Sequence, residues 1–235
     1  MSGQQLHLPP SYVKKRKKNF AAMRRDLSVV LGALDNHDAS AVVRNGKTEV
    51  ACGIFGPLDA RGTRDSYEGM IVDVSTRGCI ALPTHTHRHI DCIISDIVLR
   101  CIDSVRFPYM QLNVAIEVLS DDGRLLSVIG NAVYFALVDS GLPMKYRFVS
   151  LPMNFVDREL VIDTNTDHKT MCGPSLTVFV NIDSPDHLYL IQESGEVPVE
   201  MYEQLSMKMK GICGTEFNEL AASIIRPEQK LRFSR

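Results

Sequence analysis

The sequence predicts a single α/β domain on three observations: an Asn-Gly hairpin, a one-sided helical pattern and a strand–turn–helix unit that runs unbroken from Ile116 to Lys145. In the hairpin, Ala39–Pro57 (ASAVVRNGKTEVACGIFGP), Ala41, Val42 and Val43 lead into Asn45-Gly46. Thr48, Val50, Cys52 and Ile54 then alternate along the return strand. Its only charges are Arg44, Lys47 and Glu49, so an edge open to pairing with another chain is expected here. The helical pattern spans His89–Val105, where Ile90, Ile93, Ile94, Ile97, Val98, Cys101 and Val105 fall on one face, so this helix covers a sheet. In the third unit, Ile116, Val118 and Leu119 form a strand and Asp121-Asp122-Gly123 a turn. Leu125, Leu126, Val128, Ile129, Ala132, Val133, Ala136 and Leu137 then recur at helical spacing, until Gly141 supplies a C-cap and Pro143 forbids resumption.

In chain order, residues 1–25 are a basic arm, 26–225 the folded domain and 226–235 a tail. After the hairpin, Leu58–Glu68 is a polar loop, Met70–Thr76 a strand, and Gln111–Leu119 the strand that feeds the central helix. Short β-runs follow at Arg147–Phe155, Leu160–Asp163, Ser175–Ile182 and His187–Gln192, each bounded by turn-forming residues. A last helix over Pro198–Ile225 places Tyr202, Leu205, Met209, Ile212, Phe217, Leu220 and Ile224 on one side.

At 235 residues and 45% apolar content the chain can bury a sizeable core. No apolar run reaches membrane-spanning length, and the N-terminus lacks the apolar stretch of a secretory signal, so an intracellular protein is expected. Six cysteines without a Cys-x-x-Cys pair read as reduced, small hydrophobes. The net charge of −2 hides an asymmetry. Lys14, Lys15, Arg16, Lys17, Lys18, Arg24 and Arg25 put seven cations and no acid in the first 25 residues, against 19 bases and 28 acids in the rest. Such an arm can meet nucleic-acid phosphates, act as a nuclear import signal, or be a solvated tail.

The wording of Ile116–Lys145, with its Asp-Gly turn, Asn131-Ala132 helix and Ala-Leu-Val-Asp-x-Gly-x-Pro-Met exit followed by Lys145, closely resembles the signature of the RNase PH family. The hairpin Ala39–Pro57 matches the one with which that family opens, and the resemblance covers roughly residues 25–225. It implies an α/β (α+β) fold: a single RNase PH-like domain of mixed β-sheets packed with long helices, which oligomerises side by side.

Active members of the family hold inorganic phosphate with arginines and a Gly-rich turn and place acids near the scissile bond. Here the Asp-Gly-Gly-Thr/Ser pattern becomes Asp122-Gly123-Arg124-Leu125-Leu126, losing the second glycine and the hydroxyl. The paired arginines at the start of the first long helix reduce to Arg88 within His87-Arg88-His89. The catalytic acid positions align with Lys169 and Ser175; Asp163 and Asp167 lie nearby, and a shift of two positions would put Asp167 in the first role. An acid found after the exit's basic residue is replaced by Tyr146. Three separate losses each remove a stabiliser of a highly charged transition state.

The resemblance therefore implies a non-catalytic ring subunit that scaffolds the RNA exosome and guides RNA for 3′–5′ processing and degradation of rRNA and mRNA. Its partners would be other RNase PH-like exosome subunits, paired as a heterodimer within the ring, together with cap subunits and RNA. No membrane is involved, and a homodimer is possible in isolation. The implied location is nucleus, nucleolus and cytoplasm. Arg61, Arg64 and Arg88 are RNA-binding candidates with Lys14, Lys15, Arg16, Lys17 and Lys18, although each could equally be an ordinary solvated cation; Arg77 is a further one, and Lys145 can instead cap the central helix. No cofactor is expected. Nor is a metal site: His85, His87 and His89 would share a face on a strand, but no Cys or carboxylate ligand stands at metal spacing, which favours a loop at a helix N-terminus. The competing reading is a phosphorolytic or hydrolytic exoribonuclease acting as a homodimer, with Asp163 or Asp167 as the acid. A third is a nucleic-acid-binding protein that uses the basic arm outside the exosome.

Overall fold

A computed structural model describes residues 27–60, 69–78, 84–156, 159–162, 174–184, 188–195, 197 and part of 202–225. Among these residues ten strands form two sheets. They are β1 (Leu27–Leu31), β2 (Ala39–Asn45), β3 (Thr48–Asp59), β4 (Ile71–Gly78), β5 (Met110–Ser120), β6 (Phe148–Val156), β7 (Glu159–Ile162), β8 (Ser175–Asn181), β9 (Leu188–Ser194) and β10 (Ile224–Ile225). The first sheet runs β10-β1-β2-β3-β5-β4 and the second β7-β6-β8-β9. Helix α1 (Thr84–Cys101) connects β4 to its parallel neighbour β5, and α2 (Leu125–Ser140) lies between the sheets.

That position explains the composition of α2. Its residues Leu126 to Leu137 are all buried, so it needs an apolar surface on every side rather than a stripe. Two polar side chains within it are spent on the second sheet: Asn131 Nδ2 and Ser127 Oγ both donate to the Ser150 carbonyl (2.9 and 3.0 Å), and Ser150 N donates to Asn131 Oδ1 (2.9 Å). Gly130 permits the close approach, because a Cβ there would stand 2.4 Å from the Phe179 ring. By contrast α1 is one-sided. It buries Ile90, Ile93, Ile94, Ile97 and Val98, while Asp91 Oδ1 accepts from Thr76 N on β4 (2.8 Å).

The hairpin forms as expected, with one refinement. Asn45 pairs with Thr48, so the two loop residues are Gly46 and Lys47; Gly46 has φ 62° and Lys47 is not left-handed, which is the II′ pattern rather than the I′ turn centred on Asn-Gly. The hairpin is also interior. β2 is flanked by β1 and β3, and β3 by β2 and β5, so the expectation that it offers an unprotected edge is corrected: among the described residues the margins of the two sheets are β10, β4, β7 and β9.

Three boundaries move. Helix α1 starts at Thr84, five residues before the expected His89, and stops at Cys101 instead of Val105, because Ile102 bridges to Met144 and Ser104–Arg106 turns as a 3-10 helix. β1 has no counterpart among the sequence expectations. The last helix, whose described residues fall between 202 and 222, buries Leu205 and Met209 as expected but does not reach Ile225: Ile224 and Ile225 pair in parallel with Val29 and Val30.

Candidate functional site

The candidate site is the turn that carries β5 into α2. Thr48, fully buried at the start of β3, holds it from below: its hydroxyl donates to the Gly123 carbonyl (3.2 Å) and accepts from Asp122 N (3.0 Å). Asp121 Oδ1 accepts from Gly123 N (2.7 Å), and Ser120 Oγ donates to the Lys47 carbonyl (2.5 Å). Two consecutive residues are left-handed, Gly123 at φ 98° and Arg124 at φ 63°. Glycine is indifferent to that region, whereas an L side chain there costs about 1–2 kcal/mol.

Arg124 caps α2 without a side-chain cap bond, and only 6% of it is exposed. Its guanidinium reaches Asn154 on β6, and with the Asn154 amide turned so that its oxygen faces the arginine, Oδ1 accepts from Nη2. A cation at a helix N-terminus opposes the helix dipole, so this packing is held by contacts and not by the macrodipole. Leu126 beside it is buried and Leu125 partly so, as expected of a helix start built for packing. Ser175 opens β8 opposite Asn154.

Of the cationic candidates, Arg88 is exposed in the first turns of α1 and Arg77 is exposed on the marginal strand β4. Arg61, Arg64, Lys14, Lys15, Arg16, Lys17, Lys18, Asp163, Asp167 and Lys169 lie outside the described residues. His85, His87 and His89 sit on helix α1, not on a strand or loop. Residues two apart on a helix point in different directions, so the shared-face argument fails. No group of three metal-ligating side chains occurs among the described residues. The Lys145 backbone N–H donates to the Cys101 carbonyl (2.7 Å), closing the end of α1. Cys52 and Cys101 are buried thiols whose pKa burial pushes up, that of Cys101 to about 12; Cys92 departs from expectation by being exposed.

This arrangement, a buried helix entered through an Asp-Gly turn between two sheets, belongs to a known family. Residues 23–143 match the 3′ exoribonuclease family, domain 1 (RNase PH), and the chain is a member of it. Among curated proteins it is 23% identical to the putative exosome complex component RRP41 of Caenorhabditis elegans, over 85% of this chain and 87% of that one. It is 29% identical to the RRP46 homolog of the same organism over 61% of this chain and 66% of the other, and 23% identical to rrp46 of Schizosaccharomyces pombe over 80% and 90%. The crystal structure of rice Rrp46 superposes with a TM-score of 0.73 at 19% identity, covering 84% of this chain and 93% of that one. An archaeal exosome core chain does so at 0.71 and 16%, covering 90% and 95%.

Proposed function

We propose that this chain is a non-catalytic ring subunit of an RNA exosome, of the Rrp46 type, which helps to scaffold the ring and to guide RNA towards 3′–5′ processing and degradation of rRNA and mRNA. The observation that carries the reading is Arg124. The family's phosphate turn needs small residues so that backbone N–H groups face an oxyanion. Here the turn is left-handed at Gly123 and Arg124, and its second residue carries a buried guanidinium packed on Asn154. Leu125 and Leu126 leave no hydroxyl behind it.

The Rrp46 assignment rests on the wording Ala39-Ser40-Ala41, the Ser-Asp-x-Gly-x-Leu-Leu-Ser turn and the Ala-Leu-Val-Asp-x-Gly-x-Pro-Met exit. On this reading the partners are RNase PH-like exosome subunits, cap subunits and RNA, in nucleus, nucleolus and cytoplasm, and self-association of a pure preparation is a by-product of the missing paralogue. RNA contacts would be to phosphates, made by cations such as Arg88, and therefore independent of sequence. The test mixes the chain with RNase PH-like paralogues and follows mass by light scattering. A heterodimer that displaces any homodimer is expected; a chain that stays monomeric at micromolar concentration with every paralogue offered contradicts the assignment.

A further inference from the structure

A second concavity lies at the other end of α2. Phe148 and Asn181 begin and end the paired strands β6 and β8 there, while Arg124 and Asn154 mark the opposite end. The cavity has a volume of about 560 Å³ and opens between the C-terminal half of α1, the exit segment after α2 and the second sheet. That volume falls within the roughly 300–1,000 Å³ of small-molecule sites.

Its walls are aromatic. Phe148 and Phe179 are buried at its floor, Tyr146 and Tyr189 are half-buried, and the Arg100 guanidinium lies over the Tyr189 ring, 5.6 Å from the centroid. Its polar groups divide unequally. The acceptors are engaged: Asp96 takes Arg100 Nε (2.9 Å), Asp183 takes Arg147 through Nη2 (2.5 Å), and Asn181 Oδ1 takes the amides of Asp183 (2.9 Å) and Ser184 (3.3 Å). The donors are open: among the described residues no partner is found for the Lys145 ammonium, the Tyr146 hydroxyl or the Asn181 amide nitrogen. Burial pushes the Tyr146 pKa up to about 12, so its hydroxyl keeps its proton. Flat rings with open donors and occupied acceptors call for a ligand that is planar, rich in acceptors and anionic.

We propose that this cavity binds a nucleotide, with its base against the Tyr189–Arg100 platform and its phosphate at Lys145. Stacking of this kind tolerates any base, because every base has a π-face. The proposal deepens the RNA-guiding reading and rests on it for the source of the nucleotide, a strand passing the ring subunit. Among the described residues the carboxylates at the cavity, Asp183 and Asp96, are ion-paired with Arg147 and Arg100, so binding without turnover is the expected behaviour.

The test titrates the full-length ¹⁵N-labelled chain with AMP, adenosine, inorganic phosphate and an acidic tyrosine-containing peptide. AMP should shift the amides of Tyr146, Asn181 and Tyr189 saturably, with adenosine weaker and phosphate alone weaker still. Lys145→Glu should weaken AMP by about tenfold while leaving adenosine unchanged; this variant retains the fold, since the structural role of Lys145 is carried by its backbone. Tyr189→Ala should weaken both. Absence of AMP shifts, equal response to phosphate alone, or preference for the peptide each overturns the nucleotide assignment. Binding of poly(A) by the assembled ring, measured separately, distinguishes the two readings: if it persists while AMP fails to bind this cavity, only the cavity proposal falls.

Discussion

At the C-terminal end of α2, Gly141 adopts the left-handed conformation (φ 69°, ψ 12°); at the N-terminal end, Arg124 adopts nearly the same one (φ 63°, ψ 33°). The backbone requirement is alike at both ends and the residues are not. Glycine meets it without strain and finds open space around its Cα, whereas arginine meets it against a steric cost and buries its side chain. What surrounds the two ends differs in the same way. Around the exit, the family's wording persists and its residues act mechanically. Asp139 accepts from the buried Ser40 amide (3.0 Å), Pro143 accepts from Asp103 N (3.0 Å), and Lys145 N–H closes the end of α1. Around the entry, Thr48 holds the turn by two hydrogen bonds and the buried Arg124 side chain packs beside it. The two ends of one helix thus meet the same backbone requirement by different means, a glycine with capping contacts at the exit and a buried arginine at the entry.

The largest effect is expected where both ends depend on one anchor. Asn131→Ala removes two buried hydrogen bonds, strands the Ser150 amide and leaves the Ser150 carbonyl to Ser127 Oγ alone, which should cost about 2–4 kcal/mol and lower the chemical-denaturation midpoint without changing its slope. Asp139→Ala, confined to the exit end, leaves the 1%-exposed Ser40 amide unsatisfied and should cost about 1–3 kcal/mol; Asp139→Asn, which keeps the acceptor, should recover most of it. Gly141→Ala should cost about 1 kcal/mol through strain alone, since no atom lies within 4 Å of the added methyl. A larger loss at Gly141 than at Asp139 would break the comparison.

The smallest effect is electrostatic. Hydrogen bonding and charge from Arg100 hold Asp96 below the usual carboxylate range. A lowered folded-state value means that its stabilisation is present above the unfolded pKa of about 4 and is lost as pH falls through the folded value. Both side chains are more than a third exposed, so after solvent screening about 0.3–0.5 kcal/mol is expected. Asp96→Asn should therefore reduce stability slightly at neutral pH and converge with the parent in acid-titration melts below the carboxylate range.

Local signals are legible in this sequence and non-local ones are not. The Gly46 turn, the Ala/Val/Leu-rich buried helix and the Gly141-Pro143 stop each write their geometry within a few residues, and the structure keeps all three. β10 is two residues long and exists only because β1 lies beside it, so nothing near Ile224 distinguishes it from a helix end. The hairpin's interior position depends on β1 and β5, one of them distant in sequence, which is why its modest charge count misleads as an edge signal. The early start of α1 has a signal, Pro83 directly before Thr84, but the charged and histidine-rich first turns lack the apolar spacing by which a helix boundary is recognised. Arg124 is legible as a departure from the Gly-rich turn. Its burial is not, because a cation after a turn reads as solvated until Asn154 on β6 is brought against it. The aromatic cavity is invisible in the sequence for the same reason: Arg100, Lys145 and Tyr189 come from three elements far apart in the chain.

The most direct test of the claim that this chain keeps the family's fold and lacks its chemistry is to incubate the pure protein with poly(A), inorganic phosphate and magnesium and to assay nucleoside diphosphates. The expected result is none above background. Phosphate-dependent release of nucleoside diphosphates that is abolished by Asp163→Asn or Asp167→Asn would contradict it and establish the chain as an exoribonuclease.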